Sequence, residues 1–156
     1  MNKSIIGLNK EEVNDLVVDL NVLLANFQLF YQNLRGLHWN IKGKSFFELH
    51  LKFEEFYTDA QIKVDLIAER ILTLQGIPLH TFTDYESLAL IPIGKNISKD
   101  TEGVQLVVDS LQRLIEIERK ILIKSANAND EGTNTMMSDF IAEQEKIIWM
   151  LMAWLS

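Results

Sequence analysis

Cysteine is absent from this 156-residue chain, which rules out a disulfide framework and thiolate metal sites. Any metal must be held by His, Asp and Glu, ligands that suit iron, manganese or zinc. Proline and glycine are scarce, at 2 and 7 residues, and β-branched runs are few, so long helices are expected. Long apolar runs are also missing. The longest, residues 147–155 (IIWMLMAWL), is far shorter than the ~20 residues of a membrane-spanning helix. The start, MNKSIIGLNKEE, lacks the apolar core and small-residue cleavage site of a signal peptide. A cytoplasmic protein without a membrane partner is therefore expected. Basic residues are outnumbered, 15 against 22 acidic, for a formal net charge of -7. That balance argues against a strong non-specific grip on nucleic acid, which depends on neutralising phosphates, and it is compatible with attracting cations.

What is present is apolar periodicity. With 47% hydrophobic residues, the chain fits one compact domain, residues 1–156. From Asn9 to about Leu37, Leu20, Leu24, Phe27, Tyr31 and Leu34 recur at three- and four-residue steps, the stripe of a long amphipathic helix. Asn9 with Glu12 makes a capping-box pattern. A second helix is predicted from about Ser45 to Leu74, closed by a glycine signal at Gly76 and by Pro78. Residues 81–97 read as a connector, with one or two helical turns starting from Thr83. A third helix is predicted over about Ser98–Ala126, a polar loop over Asn127–Asn134, and a fourth helix over about Thr135–Leu155. The predicted fold is all-α: a ferritin-like four-helix bundle with a short helix in the long connector between helices two and three, one crossover replacing a short loop.

The residues that carry chemistry lie between His38 and Glu69. His50 and Glu54 are four apart on the second helix, as are Asp65 and Glu69, so each pair shares a face. The fifteen-residue step from His50 to Asp65 turns back to within about 60° but separates the pairs by roughly 22 Å along the axis. One chain cannot bring both to one metal. Two copies of the helix packed antiparallel about a two-fold axis between Asp59 and Ala60 would set residue 50 against 69 and 54 against 65, creating two identical sites. His38 joins if the hairpin bends near Lys44, six residues from both histidines. Each site then holds two imidazoles and three carboxylates, a nitrogen and oxygen set suited to iron. Acids and histidines at this spacing are also ordinary solvated or ion-paired surface residues, with Arg70 and Lys63 as available partners. Periodicity leaves both readings standing.

The run His38-Trp39-Asn40-Ile41-Lys42-Gly43, followed by Leu49-His50 and Glu54, resembles the first signature of the Dps family, the DNA-binding proteins from starved cells. Val64-Asp65-Leu66-Ile67-Ala68-Glu69-Arg70 with the later Pro78 resembles the second. The specific motifs cover residues 38–78, the general resemblance essentially the whole chain. The glutamate-x-x-histidine element of ordinary ferritins is absent. The resemblance implies a hollow dodecamer with intersubunit di-iron-type ferroxidase centres, a ferroxidase and iron-storage protein that guards against oxidative damage. By similarity His38, His50 and Glu54 ligate iron from one subunit, and Asp65 and Glu69 from its neighbour. The implied substrates are Fe(II) and hydrogen peroxide, and the ferric product is stored in the cavity.

Gln75 departs from the family pattern, which usually has a small residue there. A Lys/Arg-rich tail is missing too: the start offers only Lys3 and Lys10, so a nucleoid DNA-coating protein is the alternative rather than the leading reading. Trp39 reads equally as a redox-active neighbour of the site or as a buried bundle aromatic. Asp130, Glu131 and Asp139 are candidates for an acidic ion funnel at a three-fold axis. His80 reads as a surface residue, and Tyr57 as packing.

Overall fold

The computed structural model describes residues 2–156, and its regular elements are α1 (Lys10–Asn40), α2 (Phe46–Thr73), α3 (Phe82–Ser87), α4 (Asp100–Asn127) and α5 (Glu131–Leu155). The all-α bundle with a short connector helix is what periodicity predicts. The long helix α1 is its spine, packing on α2, α4 and α3. Leu16, Leu20, Leu24, Phe27 and Leu34 are wholly or almost wholly buried, each contributing about 1.5–3 kcal/mol of hydrophobic stabilisation. α1 contains an 18-residue window of mean hydropathy 1.2, enough by length and composition for a membrane span. Yet 56% of that window is buried against the rest of the fold, which accounts for its apolar character.

Local chemistry decides where each helix stops. Asn9 caps α1, its side-chain oxygen accepting from the N–H groups of Glu11 and Glu12 at 2.9 and 3.3 Å. α1 runs one turn beyond the predicted stop at Leu37, through Gly36. The reversal falls at Gly43, whose φ of 115° lies in the region that favours glycine. This extra turn places His38 on the helix.

At the end of α2, the N–H of Gly76 donates to Ile71 O and that of Gln75 to Leu72 O, both at 2.9 Å, the pair of bonds in a Schellman cap. The left-handed residue is Gln75, with φ 67°, and not the glycine that the sequence pattern singles out. Gly76 is needed for a different reason: a Cβ there would come within 2.6 Å of Val17 on α1.

The connector from α2 to α4 is pinned by three asparagines of α1. Asn21 donates to Ile77 O (3.1 Å) and accepts from Leu79 N (2.8 Å). Asn26, fully buried, donates to Leu88 O and accepts from the N–H groups of Leu90 and Ile91. Asn33 donates to Pro92 O and accepts from Gly94 N. Each amide replaces the backbone partners that an irregular segment lacks. The helical turns inside this segment start from Thr81, whose Oγ1 accepts from Asp84 N, two residues before the predicted Thr83.

The predicted loop over Asn127–Asn134 shrinks to three residues. Asp130 caps α5 by accepting from Thr133 N at 3.1 Å, and Arg70 of α2 donates to Asp130 Oδ1 at 2.5 Å and to Thr133 Oγ1 at 2.9 Å. Gly132 leaves room for that guanidinium, since a Cβ there would lie 2.7 Å from it. Residues that read as loop by composition are thus drawn into the first helical turn by a cap and an ion pair.

The interior also holds polar groups. Asp19 of α1 is 5% exposed and pairs with Lys120 and Lys124 of α4 at 3.0 and 2.6 Å. Glu118 of α4 is fully buried, and burial pushes its pKa from 4.5 up to about 8, with Gln144 and Lys63 opposing the rise only in part. At neutral pH the folded chain therefore keeps a proton there that the unfolded chain releases. Because the native state binds the extra proton between pH 4.5 and about 8, stability falls as pH rises through that interval, with a slope of up to about 1.4 kcal/mol per pH unit. Glu118→Gln should remove this component. In urea titrations the stability of the variant relative to the parent should rise steadily as pH increases across the interval, and a constant difference would contradict the raised value.

Candidate metal centre

The α1–α2 hairpin brings His38 and His50 face to face. Their rings stack with centroids 3.7 Å apart and planes 14° from parallel. The Nδ1–H of His38 donates to the backbone carbonyl of His50 at 2.6 Å, and the Nδ1–H of His50 donates to that of His38 at 2.7 Å. A carbonyl can only accept, so both Nδ1 atoms carry the proton, and Nε2 is the lone-pair nitrogen of the neutral ring. This is how a metal-binding imidazole is commonly oriented: one ring nitrogen is fixed by a backbone oxygen while the other is presented to the ion. His38 sits in the last turn of α1, where carbonyls have no helical partner, which explains why its oxygen is available to His50. Phe46 lies on the other side of the His50 ring, with centroids 5.0 Å apart.

Glu54 lies one turn along α2 from His50 and is exposed. The Tyr57 hydroxyl makes a long hydrogen bond of 3.5 Å to Glu54 Oε1, and the tyrosine ring meets His38 edge-on at 5.4 Å and Tyr31 at 5.9 Å. Burial, and then the Glu54 carboxylate beside it, raises the pKa of the Tyr57 phenol, so the group stays a neutral donor. Tyr57 packs against the core as expected, and its hydroxyl adds the contact to Glu54. Its signal in the sequence is its place three residues after Glu54, on the same helix face.

The other predicted acids stand apart. Asp65 and Glu69 are exposed on α2, three to five helical turns beyond His50 and Glu54. Asp65 forms part of the wall of an open groove of about 580 Å³ together with Gln28, Tyr31, Gln61, Ile62 and Val64. Among the described residues, no group of three or more His, Asp or Glu side chains comes close enough within one chain to hold a metal ion. One chain therefore carries two separated groups, one with two imidazoles and a carboxylate, the other with two carboxylates.

The remaining candidates divide. Asp130 is 1% exposed and committed to Thr133 and Arg70, so it has no free carboxylate to offer a funnel. Glu131 and Asp139 are exposed. Trp39 is 58% exposed with Arg35 stacked on it at 5.0 Å, which removes the reading as a buried bundle aromatic. His80 is exposed, with Nδ1 at 3.0 Å from Pro78 O, the surface residue expected.

Comparison with known proteins agrees with this geometry. The ferritin-like domain family matches residues 18–156. A DNA protection during starvation protein of Porphyromonas gingivalis is 39% identical over 96% of this chain and 94% of its own length. An uncharacterised Haemophilus influenzae protein is 46% identical over 98% and 96% of the two chains. The crystal structure of a Dps protein from Vibrio cholerae, described as a member of a superfamily of ferritin-like diiron-carboxylate proteins, superposes with a TM-score of 0.98 at 49% identity, covering 100% of this chain and 98% of that one. A bundle of this topology, matched from end to end by such relatives, places the chain in the Dps family of ferritin-like proteins.

Proposed function

We propose that this protein is a ferroxidase and iron-storage protein whose reaction centre is assembled from two subunits. The observation that carries the reading is the reciprocal His38–His50 pair, in which each ring commits Nδ1 to a backbone carbonyl and so keeps Nε2 for a ligand role. His38, His50 and Glu54 would ligate Fe(II) from one subunit, and Asp65 and Glu69 from its partner. The surface of α2 supports this. Phe47, Leu51, Ile62, Leu66 and Leu72 are 45–84% exposed, an apolar strip of the kind that marks an interface. The two-fold operation that sets residue 50 against 69 also sets Phe47 against Leu72 and Ile62 against Tyr57.

The chemistry follows from the ligand types. Ferrous iron is the substrate, and imidazole nitrogens with carboxylate oxygens stabilise the ferric product more than the ferrous one, since added negative charge favours the higher oxidation state. Two ferrous ions each give one electron to one hydrogen peroxide, whose O–O bond breaks to leave two oxygens at the level of hydroxide. Because both electrons arrive together, no hydroxyl radical is set free. The reaction would occur in the cytoplasm, and ferric iron would be stored inside a closed shell. Tyr57 would hold the Glu54 carboxylate in place. DNA coating is disfavoured by the net charge of -7.

Three outcomes test this. Light scattering should give a particle of about twelve 18.0 kDa subunits; a stable monomer would remove both cavity and shared centre. Plasmid DNA should show no shift with the assembled protein at physiological salt, and a shift that persists after deletion of residues 2–10 would reverse the charge argument. The third test addresses the sharing itself. His50→Ala and Asp65→Ala should each lower peroxide-driven Fe(II) oxidation by on the order of tenfold or more. Refolding the two variants together should restore activity, because a mixed dimer has both lesions at one centre and none at the other. Random pairing predicts recovery of about a quarter of the parental activity. Verified mixed shells that stay inactive would show that the centre is not shared in this way.

A further inference from the structure

The connector helix α3 is six residues long, too short to hold itself together in water, yet it is firmly fixed. Tyr85 is buried and its hydroxyl donates to Leu79 O at 2.8 Å, and the chain leaving α3 is bonded to Asn26 and Asn33 of α1. These bonds hold outward one side chain that has no place in the core. Phe82, the first residue of α3, is 89% exposed and meets the Tyr85 ring edge-on at 6.4 Å. Beside it a groove of about 390 Å³ runs between α1 and the connector, with Leu29, Gln32 and Arg35 on one wall and Phe82 and Ile93 on the other. Single exposed apolar residues are ordinary. A rigid aromatic knob at the lip of a groove that it leaves open is a docking device, pre-organised at the expense of buried hydrogen bonds.

The position and charge of this groove point to a second copy of the chain as its occupant. His38 and His50 lie at one height, and the antiparallel helices α1 and α2 rise equally per residue. A two-fold axis between Asp59 and Ala60 therefore crosses α1 between Gln28 and Leu29. Both of those residues line the groove, so the axis sets groove against groove and brings each knob to its partner. Through Gln28 and Tyr31 the groove is also continuous with the one walled by Asp65. Its charges suit a copy of itself. Arg35, stacked on Tyr31 and Trp39, has no carboxylate within ion-pair distance among the described residues, while α3 carries Asp84 and Glu86.

We propose that Phe82 of each subunit docks into the groove between α1 and the connector of its two-fold partner, so that the two α3 helices lock the dimer together. Each ring withdrawn from water strengthens that dimer by on the order of tenfold or more. Docking also positions: it holds the partner's α2 in the register that sets residue 50 against 69. The place of the axis rests on the function proposed above; the groove and its knob do not.

Exchanging knob and hole tests the contact without iron. Gln32→Trp, at an exposed position, fills the groove, and light scattering should show its assemblies dissociating at a protein concentration about tenfold or more above that of the parent. Phe82→Ala removes the knob and leaves the groove open. Chains of the two kinds, mixed, should assemble again as dimers with one of each, identified by native mass spectrometry. In such a dimer the filled groove faces alanine and the open one receives phenylalanine. Parent chains added to Gln32→Trp should give no such rescue. The chain has no cysteine, so Gln32→Cys supplies a single thiol beneath the docked ring. In the assembled protein a maleimide should label it about tenfold or more slowly than in the urea-unfolded chain, and adding Phe82→Ala should restore fast labelling. Circular dichroism verifies the fold of each variant, and should Gln32→Trp not fold, Gln32→Phe takes its place under the same criteria. Docking is overturned if the thiol of the assembled protein labels as fast as in the unfolded chain, which would leave the groove open to some other partner. It is equally overturned if the folded groove-filling variant assembles as the parent does, or if mixing brings no rescue. Shells that dock in this way without oxidising iron would count against the proposed function alone, and active shells with a freely labelled thiol against the docking alone.

Discussion

A helix that ends at Asn40 leaves its last carbonyls without helical partners, and in this chain the carbonyl of His38 is met by the imidazole of His50. The return bond from His38 closes the pair. Those two bonds do three things at once. They satisfy a helix end, they set the register of α1 against α2, and they fix the tautomer of both rings. A one-residue slip of either helix would turn a ring by about 100° about its axis and break both bonds together. The position of Glu54, Asp65 and Glu69 along α2 is then no longer adjustable, because all three are counted from His50 on one rigid rod.

Much of this was legible in the sequence, for identifiable reasons. The stripe of α1 is dense enough to mark a helix without ambiguity, and Asn9 is a cap residue in a cap position. The turn midway between His38 and His50 predicts similar heights, which the stacked rings bear out. What could not be read are effects that need a distant residue. Asp130, Gly132 and Thr133 look like loop until Arg70, sixty residues away, supplies a charge for the cap. Gln75 stands where the family pattern has a small residue, and the Schellman geometry shows why, since it requires a positive φ there; Gly76 proves to be held by the closeness of Val17. Tyr57 carries the pattern of a packing aromatic, and only its hydroxyl, near Glu54, gives it a second role.

The distribution of polar groups separates two uses of charge. Glu54, Asp65 and Glu69 of α2 are exposed, with the buried His38 and half-buried His50 beside the first of them. Those of the interior, Glu118, Gln144 and Lys63, are enclosed by a single subunit. Enclosure gives the interior groups a strong mutual influence in a medium of low effective dielectric, whereas the exposed acids of α2 would acquire such an environment only in the association proposed above. In the shared centre proposed above, assembly and reactivity would be coupled in this way through solvent exclusion.

The asparagines of α1 have a consequence for how the molecule breathes. Residues between α2 and α4 have little regular structure, yet the amide hydrogens of Leu79, Leu90, Ile91 and Gly94 end on side chains of the most deeply packed helix. Local opening of that segment requires the asparagine bonds to break, so solvent reaches those amides about as seldom as it reaches a helical turn. In hydrogen exchange the segment should therefore behave as part of α1, a taut strap where the chain trace shows a loop.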